Sequence, residues 1–214
     1  MRPDGSPFVV LTVCTGNICR SPLAEQLLRA RLDAAEGTST ANSAMAHNAT
    51  LHGFTIHSAG TIADDGEPMD ETAAEMSRRY GGAPDEHRAQ HLRAGLVAES
   101  HLVLTATRAH RAAVVQLLPR ASRFTFTLNQ FARLIAAVDP ADRAAWHQPE
   151  DVVASAAALR GVVVPPDDER DDDIVDPYQR GLVVHEEAAA EIDADVAVIA
   201  AAFGELPPLG QAGA

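Results

Sequence analysis

The sequence predicts an α/β fold: one domain on a four-stranded, parallel, twisted sheet with helices on both faces. Three observations predict it. Strand-like and helix-like stretches alternate along the chain, the layout of a parallel sheet with crossover helices. The first strand candidate, Phe8 to Val13, is an unbroken run rich in β-branched residues, as in a strand buried on both faces. With 214 residues and 46% hydrophobic content, the chain can bury one ordinary core, and one domain (1–214) is the default.

The elements follow in order. After Val13, residues 14–20 form a short loop that opens onto a helix; Ser21 supplies a capping hydroxyl and Pro22 a first-turn proline. Leu23, Leu27, Leu28 and Leu32 recur at helical spacing, so this helix runs to about Ala35. Residues 36–53 are polar and weakly periodic and read as an insertion. Phe54 to Ser58 is a second strand, closed by a turn at Ala59-Gly60-Thr61. Residues 70–80 and 92–99 read as helices, His101 to Ala106 as the third strand, and the helix after it ends at Leu118, before Pro119. Phe124 to Phe126 is the fourth strand and Asn129 to Val138 a helix. Residues 139–170, rich in Ala and Pro, give no clear element and read as a second insertion. Residues 185–203 form a closing helix with Ile192, Val196 and Ile199 on one face.

Charge and cysteine usage narrow the function classes. Seventeen basic against thirty acidic residues give a net charge of -13, which argues against nucleic-acid binding, since that needs a basic face. No apolar run is long enough to span a membrane. Residues 1–5 lack the basic-then-apolar layout of a signal peptide. Two cysteines make a disulfide framework improbable and point to a reducing, cytoplasmic setting.

The loop carries the chemistry. Cys14 and Arg20 are separated by five residues, at the carboxyl end of a strand and the start of a helix, where ligands bind in parallel sheets. Helix amides, the Arg20 guanidinium and the Ser21 hydroxyl all favour a thiolate at Cys14, the form that attacks phosphorus. Gly16 is expected to let the backbone of Thr15, Gly16, Asn17, Ile18 and Cys19 curl into an anion-binding nest. Arg20 can grip two phosphate oxygens at once. A small buried cysteine at a strand end is the plainer alternative for Cys14. Taken together, the loop implies a cysteine-dependent phosphatase.

Such a reaction needs a proton donor for the leaving oxygen. Asp176 offers one, held extended by Pro177, with Tyr178 placed to wall the pocket against an aromatic leaving group. Against that stands the surrounding run of Asp167, Asp168, Asp171, Asp172 and Asp173, since acidic runs are usually solvated loops.

Residues 14–22 match Cys-x-Gly-Asn-x-Cys-Arg-Ser-Pro in full, and Asp176-Pro177-Tyr178, Ser58-Ala59-Gly60-Thr61 and, more weakly, His87 to Leu92 accompany them. The chain thereby resembles the low-molecular-weight protein tyrosine phosphatases, especially the bacterial branch, over residues 8–135 and 171–203. The resemblance implies a four-stranded parallel sheet, Cys14 as nucleophile, Arg20 as phosphate clamp and Asp176 as acid and then base. It implies that Asn17 and Ser58 support the loop through a hydrogen bond, and that Ser21 stabilises the thiolate. It implies a phosphotyrosine-containing protein as substrate, with no metal and no cofactor. Cys19 would either form a protective disulfide with Cys14 or simply pack beneath the loop.

Phosphoarginine phosphatases resemble the same motif with threonine where this chain has Ile18, and an apolar Ile18 suits an aromatic ring better. Arsenate reductases linked to thioredoxin use three cysteines; this chain has two. A non-catalytic phosphate-binding module would have no use for Cys14 and Asp176. Of the nine histidines, His87 and His91 are four apart, and His47, His52 and His57 five apart. Neither set matches a metal-ligand pattern.

Overall fold

A computed structural model of the chain describes residues 5–35 and 53–206. The first expected insertion, residues 36–53, lies outside them except for Gly53, as do His47 and His52. In chain order the elements are β1 (Phe8–Cys14), α1 (Arg20–Ala35), β2 (Phe54–Gly60), α2 (Glu71–Arg79), α3 (Ala94–Glu99), β3 (Leu102–Thr105) and α4 (Arg108–Leu117). A 3-10 turn (Pro119–Arg123), β4 (Thr125–Thr127), α5 (Leu128–Ala136), α6 (Pro140–Arg143) and α7 (Pro149–Leu159) follow. A second 3-10 turn (Glu169–Asp172) leads into α8 (Leu182–Gly204).

The four strands form one parallel sheet in the order β2-β1-β3-β4. From β1 the chain crosses to β2 on one side and then back to β3 on the other. The order therefore reverses between β1 and β3, and their carboxyl ends open a crevice there. Cys14 is the last residue of β1, paired with Gly60 of β2, while Val13 pairs with Thr105 of β3.

Alternation along β1 divides the core between the two faces. Phe8 and Val10 join Ile56, Leu104 and Phe126 under α1, α5 and α8. Leu11 and Val13 join Ala59 and Val103 under Val97 of α3, Val114 of α4 and Ala121. Leu23, Leu27, Leu28 and Leu32 of α1 are all buried, as their spacing predicts; each contributes about 1.5–3 kcal/mol. The expected face of α8, with Ile192, Val196 and Ile199, is likewise buried.

Several boundaries differ. Ala59 and Gly60 belong to β2 rather than to a turn, because Gly60 pairs with Cys14 and bridges to His91. Leu92 donates its amide to the Gly60 carbonyl, so α3 begins only at Ala94. Residues 139–170, without a clear element in the sequence, contain α6 and α7, the latter packed on α5 and α8.

Candidate active site

The loop from Cys14 to Arg20 is bound from outside along its carbonyls. The Cys14 and Thr15 carbonyls accept the amides of Thr61 and Ile62, each at 2.9 Å, and the Ile18 carbonyl accepts the Asp70 amide at 2.9 Å. Nε2 of buried His87 lies 2.7 Å from the Asn17 carbonyl. In a trans peptide the N–H points opposite to the C=O. Tying these four carbonyls outward therefore turns the amides of Thr15, Gly16, Ile18 and Cys19 toward the loop's interior, a ring of donors suited to an oxyanion.

The curl is made differently from the expectation. Asn17, not Gly16, takes the left-handed conformation, with φ 56°. Asparagine tolerates it because its short amide side chain bonds locally. Here Asn17 Nδ2 donates to Ser21 Oγ at 2.9 Å and Oδ1 accepts the Gln90 amide at 2.9 Å. Glycine is needed instead at Gly60, where a Cβ would lie 2.4 Å from the Thr15 carbonyl oxygen and 2.8 Å from the Asn17 amide.

Ser21 is also a correction. The helix starts at Arg20, and the Ser21 hydroxyl does not cap it. Its oxygen sits 3.0 Å from the Cys14 sulfur and 3.3 Å from the Ala59 carbonyl. Asn17 donates to that oxygen, so the single Ser21 hydrogen is left to the Cys14 sulfur at 3.0 Å or to the Ala59 carbonyl at 3.3 Å, with the sulfur the nearer of the two. Pro22 has no N–H to offer the Ile18 carbonyl four residues back, which leaves that carbonyl to Asp70.

Arg20 is buried yet exposes its function to the loop. Its Nη2 is 2.9 Å from Asp176 Oδ2 and its Nη1 donates to the Ile174 carbonyl at 3.1 Å. Its Nε is buried with no partner among the described residues, a donor that a ligand oxygen could take. Asp176 is 53% exposed on its side chain and accepts the Tyr178 amide at 3.3 Å. Tyr178 is half exposed beside it. Clamp and candidate acid are therefore brought together, with the carboxylate resting on one arm of the guanidinium.

The acidic run sorts into defined contacts. Asp173 Oδ1 accepts the Arg108 amide at 2.6 Å, and the Ile174 amide donates to the Ala106 carbonyl at 2.9 Å, docking the segment on the turn between β3 and α4. Asp172 takes Arg133 with both oxygens, at 2.9 and 3.1 Å.

The hydroxyl of Ser58 does not bond the loop as the resemblance implies, although its carbonyl accepts Gln90 Nε2 at 2.8 Å. Its hydroxyl donates to Glu25 Oε2 of α1 at 2.6 Å, and Glu25 in turn pairs with Arg29 at 3.1 Å. Burial raises the Glu25 carboxyl, against the opposing effect of Arg29 and Ser58. Support for the loop comes from Asn17 itself, from His87, and from Gln90, which also links Ser58 to it. Cys19 packs into the core, and burial pushes its thiol well up, reinforced by Asp70, Cys14 and Asp176 and opposed by Arg20. Both cysteines are free.

His110 was not visible as a site residue. It lies in the first turn of α4, with Nε2 2.9 Å from Thr15 Oγ1 and Nδ1 2.7 Å from Thr107 Oγ1. Burial, then the Arg20 charge, lowers it from 6.5 to about 4. Its place just past the carboxyl end of β3, on the crevice side, was the available signal. Among the described residues no group of His, Cys, Asp and Glu is arranged to hold a metal; His87 is turned to the loop, and the His91 amide is held by Asp65.

Comparison with known proteins agrees with this geometry. The probable low molecular weight protein-tyrosine-phosphatase EpsP of Ralstonia nicotianae is 33% identical over 121 residues, 56% of this chain and 70% of that protein. A protein-arginine-phosphatase of Geobacillus stearothermophilus is 33% identical over 126 residues, 58% of this chain and 72% of that protein. The solved low molecular weight protein tyrosine phosphatase from T. tengcongensis superposes with TM-score 0.60 and 25% identity, over 89% of this chain and 96% of that one. The family model for low molecular weight phosphotyrosine protein phosphatase matches residues 9–147. A single parallel α/β domain with the thiol, the clamp and the matched span in these places makes the chain a member of the low molecular weight phosphotyrosine protein phosphatase family.

Proposed function

We propose that the chain is a cytoplasmic phosphatase that hydrolyses phosphotyrosine in proteins through a phosphocysteine intermediate. One observation carries the reading: the Cys14 sulfur sits 3.0 Å from the Ser21 hydroxyl, in the loop whose clamp, Arg20, reaches Asp176 at 2.9 Å. An incoming phosphate monoester competes with Asp176 for Arg20; the carboxylate so released takes up a proton from solvent and faces the leaving oxygen as the neutral acid. The Cys14 thiolate attacks phosphorus; the S–P bond forms, the P–O bond to tyrosine breaks, and Asp176 gives that oxygen its proton. Water then attacks phosphorus, Asp176 takes a proton from it, and inorganic phosphate leaves as the thiolate returns. The loop amides and Arg20 stabilise the charge on the equatorial oxygens.

A cytoplasmic location fits a working thiolate, and no described helix is long and apolar enough to cross a membrane. Phosphoarginine is the second reading, favoured by the arginine-phosphatase relative. Ile18, packed partly against the core, stands against it. The test is turnover of p-nitrophenyl phosphate, a phosphotyrosine peptide and a phosphoarginine peptide by wild type and Cys14→Ser. Loss of all turnover in Cys14→Ser and preference for phosphotyrosine are expected. Preference for phosphoarginine overturns the substrate assignment, and tight vanadate binding without turnover marks a non-catalytic binder.

A further inference from the structure

We propose that Thr107, His110 and Thr15 form one hydrogen-bonded relay that aims the Thr15 hydroxyl, as a donor, at the phosphoryl group held above Cys14, with His110 as a positioning residue. This rests on the phosphatase reading above.

The donor and acceptor roles can be counted along the chain of groups. Thr107 caps α4, so its Oγ1 already accepts the His110 backbone amide at 3.3 Å. Its own hydrogen is then best spent on Nδ1 of the ring, 2.7 Å away. A neutral imidazole has one N–H. With Nδ1 accepting, that proton sits on Nε2 and is donated to Thr15 Oγ1 at 2.9 Å. Thr15 becomes an acceptor toward the protein, and its hydroxyl hydrogen keeps no acceptor among the described residues. Thr15 is the residue next to the nucleophile. The opposite tautomer would spend the Thr15 hydrogen on the ring and leave the loop without this donor.

The location fits the role. His110 is 8% exposed, and its ring feels the charges of Arg20, Asp176 and Asp173, so it stands at the edge of the reacting centre. The turn that carries Thr107 also anchors the acid segment, through Asp173 on the Arg108 amide and Ile174 on the Ala106 carbonyl. One ring therefore ties the phosphate loop to the turn that positions Asp176. A donor aimed where charge gathers in phosphoryl transfer acts on the transition state more than on the bound ground state.

The experiment compares wild type, Thr15→Val, Thr15→Ser, His110→Phe and the Thr15→Val/His110→Phe double variant, with p-nitrophenyl phosphate as substrate. Inhibition by orthovanadate and by inorganic phosphate is measured alongside. Thr15→Val and His110→Phe are each expected to lower kcat about tenfold, with KM changed less than about twofold. Vanadate inhibition should weaken in step with kcat, and phosphate inhibition much less. Thr15→Ser, which keeps the hydroxyl, should lie closer to wild type than Thr15→Val. The double variant should be no worse than either single one, because both remove the same donor. Unchanged kcat in a folded Thr15→Val or His110→Phe protein overturns the relay alone. So do losses that multiply in the double variant, or equal weakening of vanadate and phosphate, which marks a merely structural role. A folded wild type that does not turn over p-nitrophenyl phosphate overturns the phosphatase reading and the relay with it.

Discussion

Arg20 and Asp176 show how a single contact sets the order of events at the residue scale. The guanidinium holds the carboxylate at 2.9 Å and the Ile174 carbonyl at 3.1 Å, so substrate phosphate must displace the first while the second keeps the clamp in place. Asp176→Ala is expected to lower kcat by about a hundredfold or more. The loss should be far larger with phenyl phosphate, whose leaving oxygen needs a proton, than with p-nitrophenyl phosphate. Asp173→Ala removes the carboxylate that holds the Arg108 amide, so it should slow both substrates by a similar, smaller factor. The reverse pattern would make Asp173 the acid. The two glycines separate in the same way. Gly60→Ala forces a Cβ to 2.4 Å from the Thr15 carbonyl oxygen and is expected to cost about 1–3 kcal/mol of stability, with loss of activity as the loop shifts. Gly16→Ala meets only the Ile18 side chain, at 3.5 and 3.7 Å, and should leave the melting temperature near that of wild type.

Between elements, α1 is fixed by more than its leucines. Glu25, Arg29 and Ser58 form a buried polar chain that joins α1 to β2, with Arg29 also donating to the Ile56 carbonyl. Ser58→Ala takes a donor from the buried Glu25 carboxyl and is expected to cost about 1–3 kcal/mol, read by urea denaturation, with kcat close to wild type. A large fall in kcat at unchanged stability would restore Ser58 to the loop. The strands, α1, α8 and the Cys14 loop were legible because their signals are local: unbroken apolar runs, leucines at helical spacing, a nine-residue motif. What escaped depends on partners distant in sequence. The Ser58 hydroxyl meets Glu25, 33 residues away, and the roles of His87, Gln90 and His110 arise from contacts 70 to 95 residues apart. In α7 the signal was local and was missed. Pro149 opens the helix, and Asp151 accepts the amides of His147 and Gln148 at 2.9 and 3.1 Å, an N-terminal pattern visible in the sequence.

For the molecule as a whole, a half-buried carboxyl, Asp195, and a buried imidazole, His110, tie stability to pH in opposite directions, while Glu25 and Glu191, also raised by burial, act in the same sense as Asp195. Asp195 of α8 is raised from 3.8 to about 7, first by burial and then by the charges of Glu191 and Asp172; its Oδ2 is buried without a partner among the described residues. The folded chain therefore holds a proton that the unfolded chain has already released. The stability this contributes is fully present below about 3.8, falls as pH rises and is gone above about 7. His110, lowered from 6.5 to about 4 by burial and then by Arg20, does the reverse. The unfolded chain binds a proton that the folded one refuses, so stability is lost as pH falls from 6.5 toward 4. Across that shared window the two slopes oppose each other, and of the two groups Asp195 is the one that still changes between 6.5 and about 7. Asp195→Asn removes one arm of the balance. Its melting temperature should exceed that of wild type by several degrees above pH 7 and converge with it near the acid end of the window, the gap between the two proteins widening as pH rises. Parallel melting profiles for the two proteins at every pH would show that the Asp195 carboxyl does not change its charge on folding.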